Sequence, residues 1–334
     1  MKFLVCGVGS IGERHINNLL ALDEKDIILY RQKHNKLRNV TINFKIFSSL
    51  IEALGEKPDT AIISNPTSLH IPLATILAKN KINLFIEKPI SNSSKGINNL
   101  KKNIKIHKNK VQIGFMMRYH PAIQEIKKIL DDNYLGRPLS ARISWGEYLP
   151  LWHPWEDYKN SYSARKDLGG GPIFTLSHDV DLLYYFFGKP EKVITIESKK
   201  SLINTTTEQN IETLFKYKDG FMAELHLDFI QLPPKRTWEI IGDNGRLEFD
   251  YYSNKLTIFK LNYNKTSFTT KVYDYSKSFD RNNLFIDEMS DFINSIKHNS
   301  PTKIQLEDGI INLKILSAMH TSRIREKIVK ISYN

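Results

Sequence analysis

Phe3-Leu-Val-Cys-Gly7-Val-Gly9-Ser10-Ile11-Gly12-Glu-Arg-His-Ile16 decides the fold. A short apolar strand runs directly into Gly-x-Gly-x-x-Gly and then into an amphipathic helix, and the order carries a physical meaning. Gly7 supplies a tight turn, Gly9 lets the backbone approach a pyrophosphate, and Gly12 lets helix and strand pack closely. The helix opening at Ser10 and Ile11 presents backbone N–H groups and the positive end of its dipole to phosphate. The stretch predicts dinucleotide binding; the bland alternative is a glycine turn that merely packs.

Working outward, residues 1–120 alternate short β-branched runs with amphipathic stretches, the pattern of βαβ units and a parallel sheet. Strands are predicted at 2–6, 26–30, 60–63, 83–86 and 111–115, and helices at 11–22, 48–54, 71–79 and 94–107. Beyond Pro121 and a helix at 122–130 the period changes to two, with runs at 139–148, 192–198, 212–217, 221–229, 236–241, 246–250 and 255–261. Turn signals at Lys218-Asp-Gly220 and Asp243-Asn-Gly245 separate some of them. Helical patterns at 283–298 and 308–328 close the chain. The expected class is α/β: an N-terminal Rossmann doubly wound parallel sheet over 1–120, then an α/β domain over 121–334 with an open, mostly antiparallel sheet for substrate binding and oligomerisation.

A dinucleotide site usually has an acid after its second strand to accept the ribose hydroxyls. Here Ile27-Ile-Leu-Tyr30 is followed by Arg31-Gln-Lys33, with Lys36 and Arg38 close behind. A guanidinium binds a 2′-phosphate through two charge-assisted hydrogen bonds. NADP(H) is therefore favoured over NAD(H), unless these bases are simply solvated and both cofactors are accepted. Two more segments fall where parallel strands end, the place where ligands bind in such sheets: Ser64-Asn65-Pro66-Thr67 with His70, and Glu87-Lys88-Pro89. Lys88 could polarise a carbonyl or stabilise an alkoxide by its charge; on spacing alone it is equally an ordinary loop lysine.

Gly169-Gly-Gly-Pro172 leads into a helix expected to run unbroken to Gly188. His178 and Asp181, three apart, then share a face with Phe174 and Tyr185. One reading is a polar pair in a cleft with His178 exchanging a proton, and the other is a hydrogen-bonded core histidine. With no HxxxH or HExxH pattern, no metal is expected.

The 334 residues suit two domains, and a single cysteine excludes a disulfide scaffold or a multi-cysteine metal site and fits a reducing cytosol. The apolar runs at 82–85 and 182–187 are far shorter than the ~20 residues of a membrane span, and glycine follows Met1 too soon for a secretory leader. A cytoplasmic location and no membrane partner are expected. The net charge of +12 is spread along the chain without a nucleic-acid-reading motif, so an anionic small ligand is favoured over nucleic acid. Cys6 reads as a small core residue, and His226 faces away from the leucines beside it, toward either a pocket or solvent.

The glycine motif, Glu87-Lys88-Pro89, Gly114-Phe-Met-Met-Arg-Tyr-His-Pro121, and the glycine run leading to His178 and Asp181 together resemble the glucose-fructose oxidoreductase / inositol dehydrogenase / MocA (Gfo/Idh/MocA) family over essentially the whole chain. The resemblance implies an NAD(P)-dependent dehydrogenase of a sugar or cyclitol, acting as a dimer or tetramer. Lys88 would then orient and polarise the reacting oxygen and His178 exchange its proton. Asn65 and Pro66 would line the nicotinamide pocket with Glu87 nearby, while Arg118, Tyr148, Trp152, His153 and Trp155 shape the substrate pocket. Basic residues around the cleft favour a nucleotide or acidic sugar of surface-glycan synthesis, against a free sugar or inositol of catabolism. Two departures stand out: Phe174 occupies the position of an Asp found in many members, and Met116-Met117 fall where Asn is common. The first keeps open a non-catalytic NADP-binding sensor.

Overall fold

The computed structural model describes residues 1–32, 43–262, 266–277 and 279–333; Lys33, Lys36 and Arg38 lie outside them. They divide into one unit of Met1–Met116 with Arg281–Leu313 and a second of Met117–Asp280 with Lys314–Asn334. In chain order the elements are β1 (Phe3–Cys6), α1 (Ser10–Ala21), β2 (Ile27–Tyr30), β3 (Lys45–Phe47), α2 (Leu50–Gly55), β4 (Thr60–Ile63), α3 (His70–Lys79), β5 (Asn83–Glu87), α4 (Ile97–His107), β6 (Val111–Gly114), α5 (Pro121–Asp131) and β7 (Pro138–Gly146). They continue as α6 (Pro172–Thr175), α7 (His178–Phe187), β8 (Lys192–Glu197), β9 (Asn210–Lys216), β10 (Met222–Asp228), β11 (Lys235–Gly242), β12 (Gly245–Asp250), β13 (Lys255–Leu261), β14 (Phe268–Asp274), α8 (Arg281–Lys297), α9 (Leu306–Arg325) and β15 (Val329–Lys330).

In the first unit six parallel strands lie in the order β3-β2-β1-β4-β5-β6, a doubly wound Rossmann sheet. Helices cover parallel sheets on both faces, so their strands are apolar throughout rather than alternating; all four residues of β1 are buried. Ile16 and Leu19 of α1 and Met289, Phe292 and Ile293 of α8 pack over Phe3, Val5, Leu29 and Phe85. The 289/292/293 spacing is one stripe of a helix, and each such buried side chain contributes about 1.5–3 kcal/mol. Residues 281–313, expected with the second domain, thus pack with the first, because the stripe on α8 completes the cover of the parallel sheet. The short β3, only partly covered, has no counterpart in the predicted strands.

The second unit is built on a nine-stranded sheet ordered β14-β13-β12-β11-β7-β10-β9-β8-β15. Neighbours are antiparallel except β7 and β10, which run parallel. The period-two runs show as alternation of burial: Ile211, Thr213 and Phe215 point inward, while Glu212, Leu214 and Lys216 point outward. The edge strand β14, almost wholly exposed, was not expected. The helix predicted from Pro172 to Gly188 is two helices. Leu176 leaves helical geometry, Ser177 becomes the N-cap of α7, and the ladder restarts with the Asp181 N–H donating to the Ser177 carbonyl at 3.0 Å. Phe174 therefore does not share a helix face with His178 and Asp181; it lies on α6 with its ring 5.7 Å from that of His320. Among the described residues no helix is long and apolar enough to cross a membrane.

Candidate nucleotide-binding and active-site residues

The strand order reverses between β1 and β4, and ligands of open α/β sheets bind in the crevice at such a point. Gly7 has φ +88°, and a Cβ on it would stand 2.5 Å from the Asn65 nitrogen. At Gly12 a Cβ would fall 2.2 Å from the Gly7 carbonyl oxygen, whereas at Gly9 it would meet nothing within 4 Å among the described residues. Two of the glycines thus serve the protein's own packing, and the third faces open space. Gly9 is the N-cap of α1 and supplies no side-chain cap, so the first N–H groups, at Ser10 and Ile11, have no acceptor within the helix. Ser64 donates its hydroxyl to the Gly7 carbonyl at 2.7 Å, which locks the β4 loop to the glycine turn. Cys6, just before the turn, is fully buried, and burial pushes its thiol pKa up.

Asn65 and Pro66 follow β4 beside this turn. The Asn65 side-chain oxygen is buried with no hydrogen-bond partner among the described residues. His70, expected as a cofactor contact, is buried with Nε2 2.7 Å from the Asn65 carbonyl oxygen and Nδ1 3.0 Å from that of Pro89. Its ring nitrogens face backbone on both sides, so the ring ties the β4 loop to the segment after β5. Burial pushes its pKa down. Arg31 follows β2 half-buried, held by its N–H to the Phe47 carbonyl at 3.0 Å.

At the end of β5, Glu87 is buried and turned inward: its Oε1 lies 2.7 Å from His15 Nε2, and its Oε2 accepts the N–H of Lys88 at 3.1 Å. Burial opposes the charge, but the His15 hydrogen bond, together with the positive charge of Lys88, outweighs it and holds Glu87 below the usual carboxylate range. Lys88 itself is half-buried just past the strand, joined to Pro89 by a cis peptide. The part played by His15 was missed. Its only sequence signal was a histidine on the helix that follows the glycine motif.

In the second unit, Arg118 and Asp181 pair with each other rather than standing separately. The guanidinium grips the carboxylate through Nε to Oδ2 at 2.9 Å and Nη2 to Oδ1 at 2.7 Å, with both side chains buried and Tyr185 4.8 Å away as a cation–π partner. His178 is buried at the start of α7 and stacks on Trp145 at 6.3 Å. Arg236 lies over the Trp145 ring at 3.9 Å and binds Asp179 at 2.7 Å, while the Trp238 indole N–H donates to Asp179 at 3.2 Å. Burial pushes the Asp179 carboxyl up against the pull of Arg236. Trp145, Asp179, Arg236 and Trp238 were not singled out from sequence, since their meeting depends on strand register. Tyr148 is half-buried at the end of β7, Trp152 packs edge-on against Phe229 at 5.4 Å, and Trp155 is exposed with its ring 5.0 Å from that of His153. His226 faces the outer side of the sheet, between Glu212 at 2.6 Å and Asp228 at 2.7 Å, in a groove of about 840 Å³ that Trp238 also lines and whose lining does not include Lys88, Arg118, His178 or Asp181.

An open phosphate-binding turn at the switch point of a parallel sheet defines a Rossmann-type dinucleotide-binding protein. A sequence model described as "Oxidoreductase family, NAD-binding Rossmann fold" matches residues 1–115, and one described as "GFO/IDH/MocA C-terminal domain" matches residues 123–248. The chain belongs to the Gfo/Idh/MocA oxidoreductases, an NAD-binding family. It is 21% identical over 344 residues to the myo-inositol 2-dehydrogenase of Thermotoga maritima, with 99% of this chain and 98% of that one covered. Oxidoreductase P35 of Formosa agariphila is 25% identical over 241 residues, 71% of this chain and 72% of its own. Among solved structures, levoglucosan dehydrogenase in complex with NADH superposes with a TM-score of 0.86 over 99% of both chains at 17% identity. The WlbA dehydrogenase from Bordetella pertussis, in complex with NADH and UDP-GlcNAcA, gives 0.83 over 100% of this chain and 99% of that one at 16% identity. Likeness at such identity shows the fold.

Proposed function

We propose that the protein is a pyridine-nucleotide-dependent dehydrogenase that oxidises a secondary alcohol of a sugar or sugar derivative, or reduces the corresponding ketone. The observation that carries the reading is the glycine turn, where Gly9 fronts open space at the uncapped start of α1. That space, the α1 N–H groups and the Asn65 oxygen, unpartnered among the described residues, fit a dinucleotide. Gly7, Gly9, Ser10, Ile11 and Gly12 would hold its diphosphate, with Asn65 and Pro66 beside the nicotinamide. The bound nicotinamide supplies or accepts the hydride. Lys88 would hydrogen-bond the reacting oxygen and stabilise the charge that develops on it, and His178 would hold or release the hydroxyl proton. Arg31 supports a preference for NADP(H), because a guanidinium at the end of β2 can pair with a 2′-phosphate.

Tyr148, Trp152 and Trp155 would offer ring faces to the C–H side of a sugar, and the basic balance of the chain supports a nucleotide-linked or acidic sugar. The relatives named for inositol and levoglucosan support a free polyol instead. A turnover panel of both sugar classes with NADP(H) and NAD(H) separates the two. Replacing Lys88 with Met should abolish turnover and spare nucleotide affinity. Absence of turnover by the parent protein on every substrate would favour a nucleotide-binding sensor, a role compatible with Phe174 lying on His320. Arg31→Ala should lower kcat/KM for NADPH about tenfold or more and leave that for NADH nearly unchanged.

A further inference from the structure

We propose that His15 is a positioning residue of the dehydrogenase reaction, acting through the Glu87 carboxylate on Lys88; this rests on the role given to Lys88 above. His15 sits on α1, the helix that begins at the phosphate-binding turn. Its ring is fully buried between Phe85, edge-on at 5.1 Å, and Phe285, edge-on at 6.2 Å. Nε2 lies 2.7 Å from Glu87 Oε1. An ionised carboxylate only accepts hydrogen bonds, so Nε2 carries the proton and donates. The other Glu87 oxygen accepts the Lys88 N–H at 3.1 Å. One carboxylate thereby connects the helix under the diphosphate to the backbone of the lysine at the reacting oxygen.

The surroundings are shaped for this carboxylate. A Cβ on Gly114 of β6 would stand 3.1 Å from both Cδ and Oε2 of Glu87, so glycine leaves the acid its room. A charged group held in a protein interior is a poor way to gain stability, since apolar replacements of such pairs are often neutral or stabilising. Placed one residue before Lys88, it is explained by orientation: two hydrogen bonds fix the carboxylate, and the carboxylate fixes the peptide from which the lysine side chain departs. Misplacing a reacting group by about 1 Å costs about 100-fold in rate.

The test compares His15→Leu, which removes the donor, with His15→Gln, whose amide nitrogen can reach the place of Nε2. The expected result is a fall of about 100-fold in kcat for His15→Leu with the nucleotide KM within a few-fold of the parent, and recovery of most of that loss in His15→Gln. Should His15→Leu fail to fold, Glu87→Gln, of equal size, is read in its place and should lower kcat with the nucleotide KM held. Parental kcat in the variant, or an equal loss in both His15 variants that follows a lowered Tm, overturns the proposal while leaving the dehydrogenase reading intact. Lack of turnover by the parent overturns both.

Discussion

A methyl group at position 9 should separate nucleotide binding from stability. Gly9 has φ −93° and ψ −163°, a backbone conformation alanine adopts readily, and its Cβ would meet no atom of the described residues within 4 Å. Gly9→Ala should therefore unfold within about 0.5 kcal/mol of the parent, as surface changes do. In the complex the same methyl would stand where backbone must approach phosphate. Losing even one hydrogen bond to a charged oxygen costs about 1.5–3 kcal/mol, which is about a tenfold rise in Kd or more. Gly12→Ala is the contrasting change. Its Cβ would lie 2.2 Å from the Gly7 oxygen, far inside van der Waals contact, so the loop must shift at a cost of about 1–3 kcal/mol. At about 2–4 °C per kcal/mol for a domain of this size, Tm should fall measurably. Calorimetric titration with NADPH and NADH, paired with thermal melts, reads both quantities. Parental affinity in Gly9→Ala would refute the assignment of the turn to a diphosphate, and a parental Tm in Gly12→Ala would refute the packing argument.

Other outcomes follow from the same geometry. Asp181→Ala leaves the Arg118 guanidinium buried without its carboxylate and should destabilise by about 3–5 kcal/mol in denaturant melts, with Arg118→Met/Asp181→Leu recovering much of the loss; a small effect of the single change would show that Arg118 finds other compensation. Phe292→Ala, emptying a site between α8 and the sheet, should cost about 3–5 kcal/mol, and a loss under about 1 kcal/mol would mean that α8 is not bound through that core. Hydrogen bonds to Asp228, and then Glu212, raise the His226 pKa to about 9. A raised histidine gives its full stabilisation below its ordinary value of about 6.5 and loses it as pH climbs through about 9. Urea midpoints should therefore fall across that interval in the parent more steeply than in His226→Gln, and parallel curves would discount the ion pairs.

Residues 1–16 decide by themselves that the chain begins with a Rossmann unit, because glycine spacing and apolar periodicity are local properties that act through the backbone. The same holds for β9–β13, where alternation of period two follows from one covered and one open face. Tertiary structure decides what local pattern cannot express. The stripe of α8 reveals that it is buried but not against which sheet, and it packs with Met1–Met116, more than 160 positions earlier in the chain. Pro172 and Gly188 mark the outer ends of a helical stretch, yet the break at Leu176 and Ser177 separates Phe174 from His178. Charges reveal least about their partners. Arg118 with Asp181, Arg236 with Asp179 and His15 with Glu87 are distant in sequence, and only the folded chain removes the water that would otherwise solvate them and obliges each to find its partner.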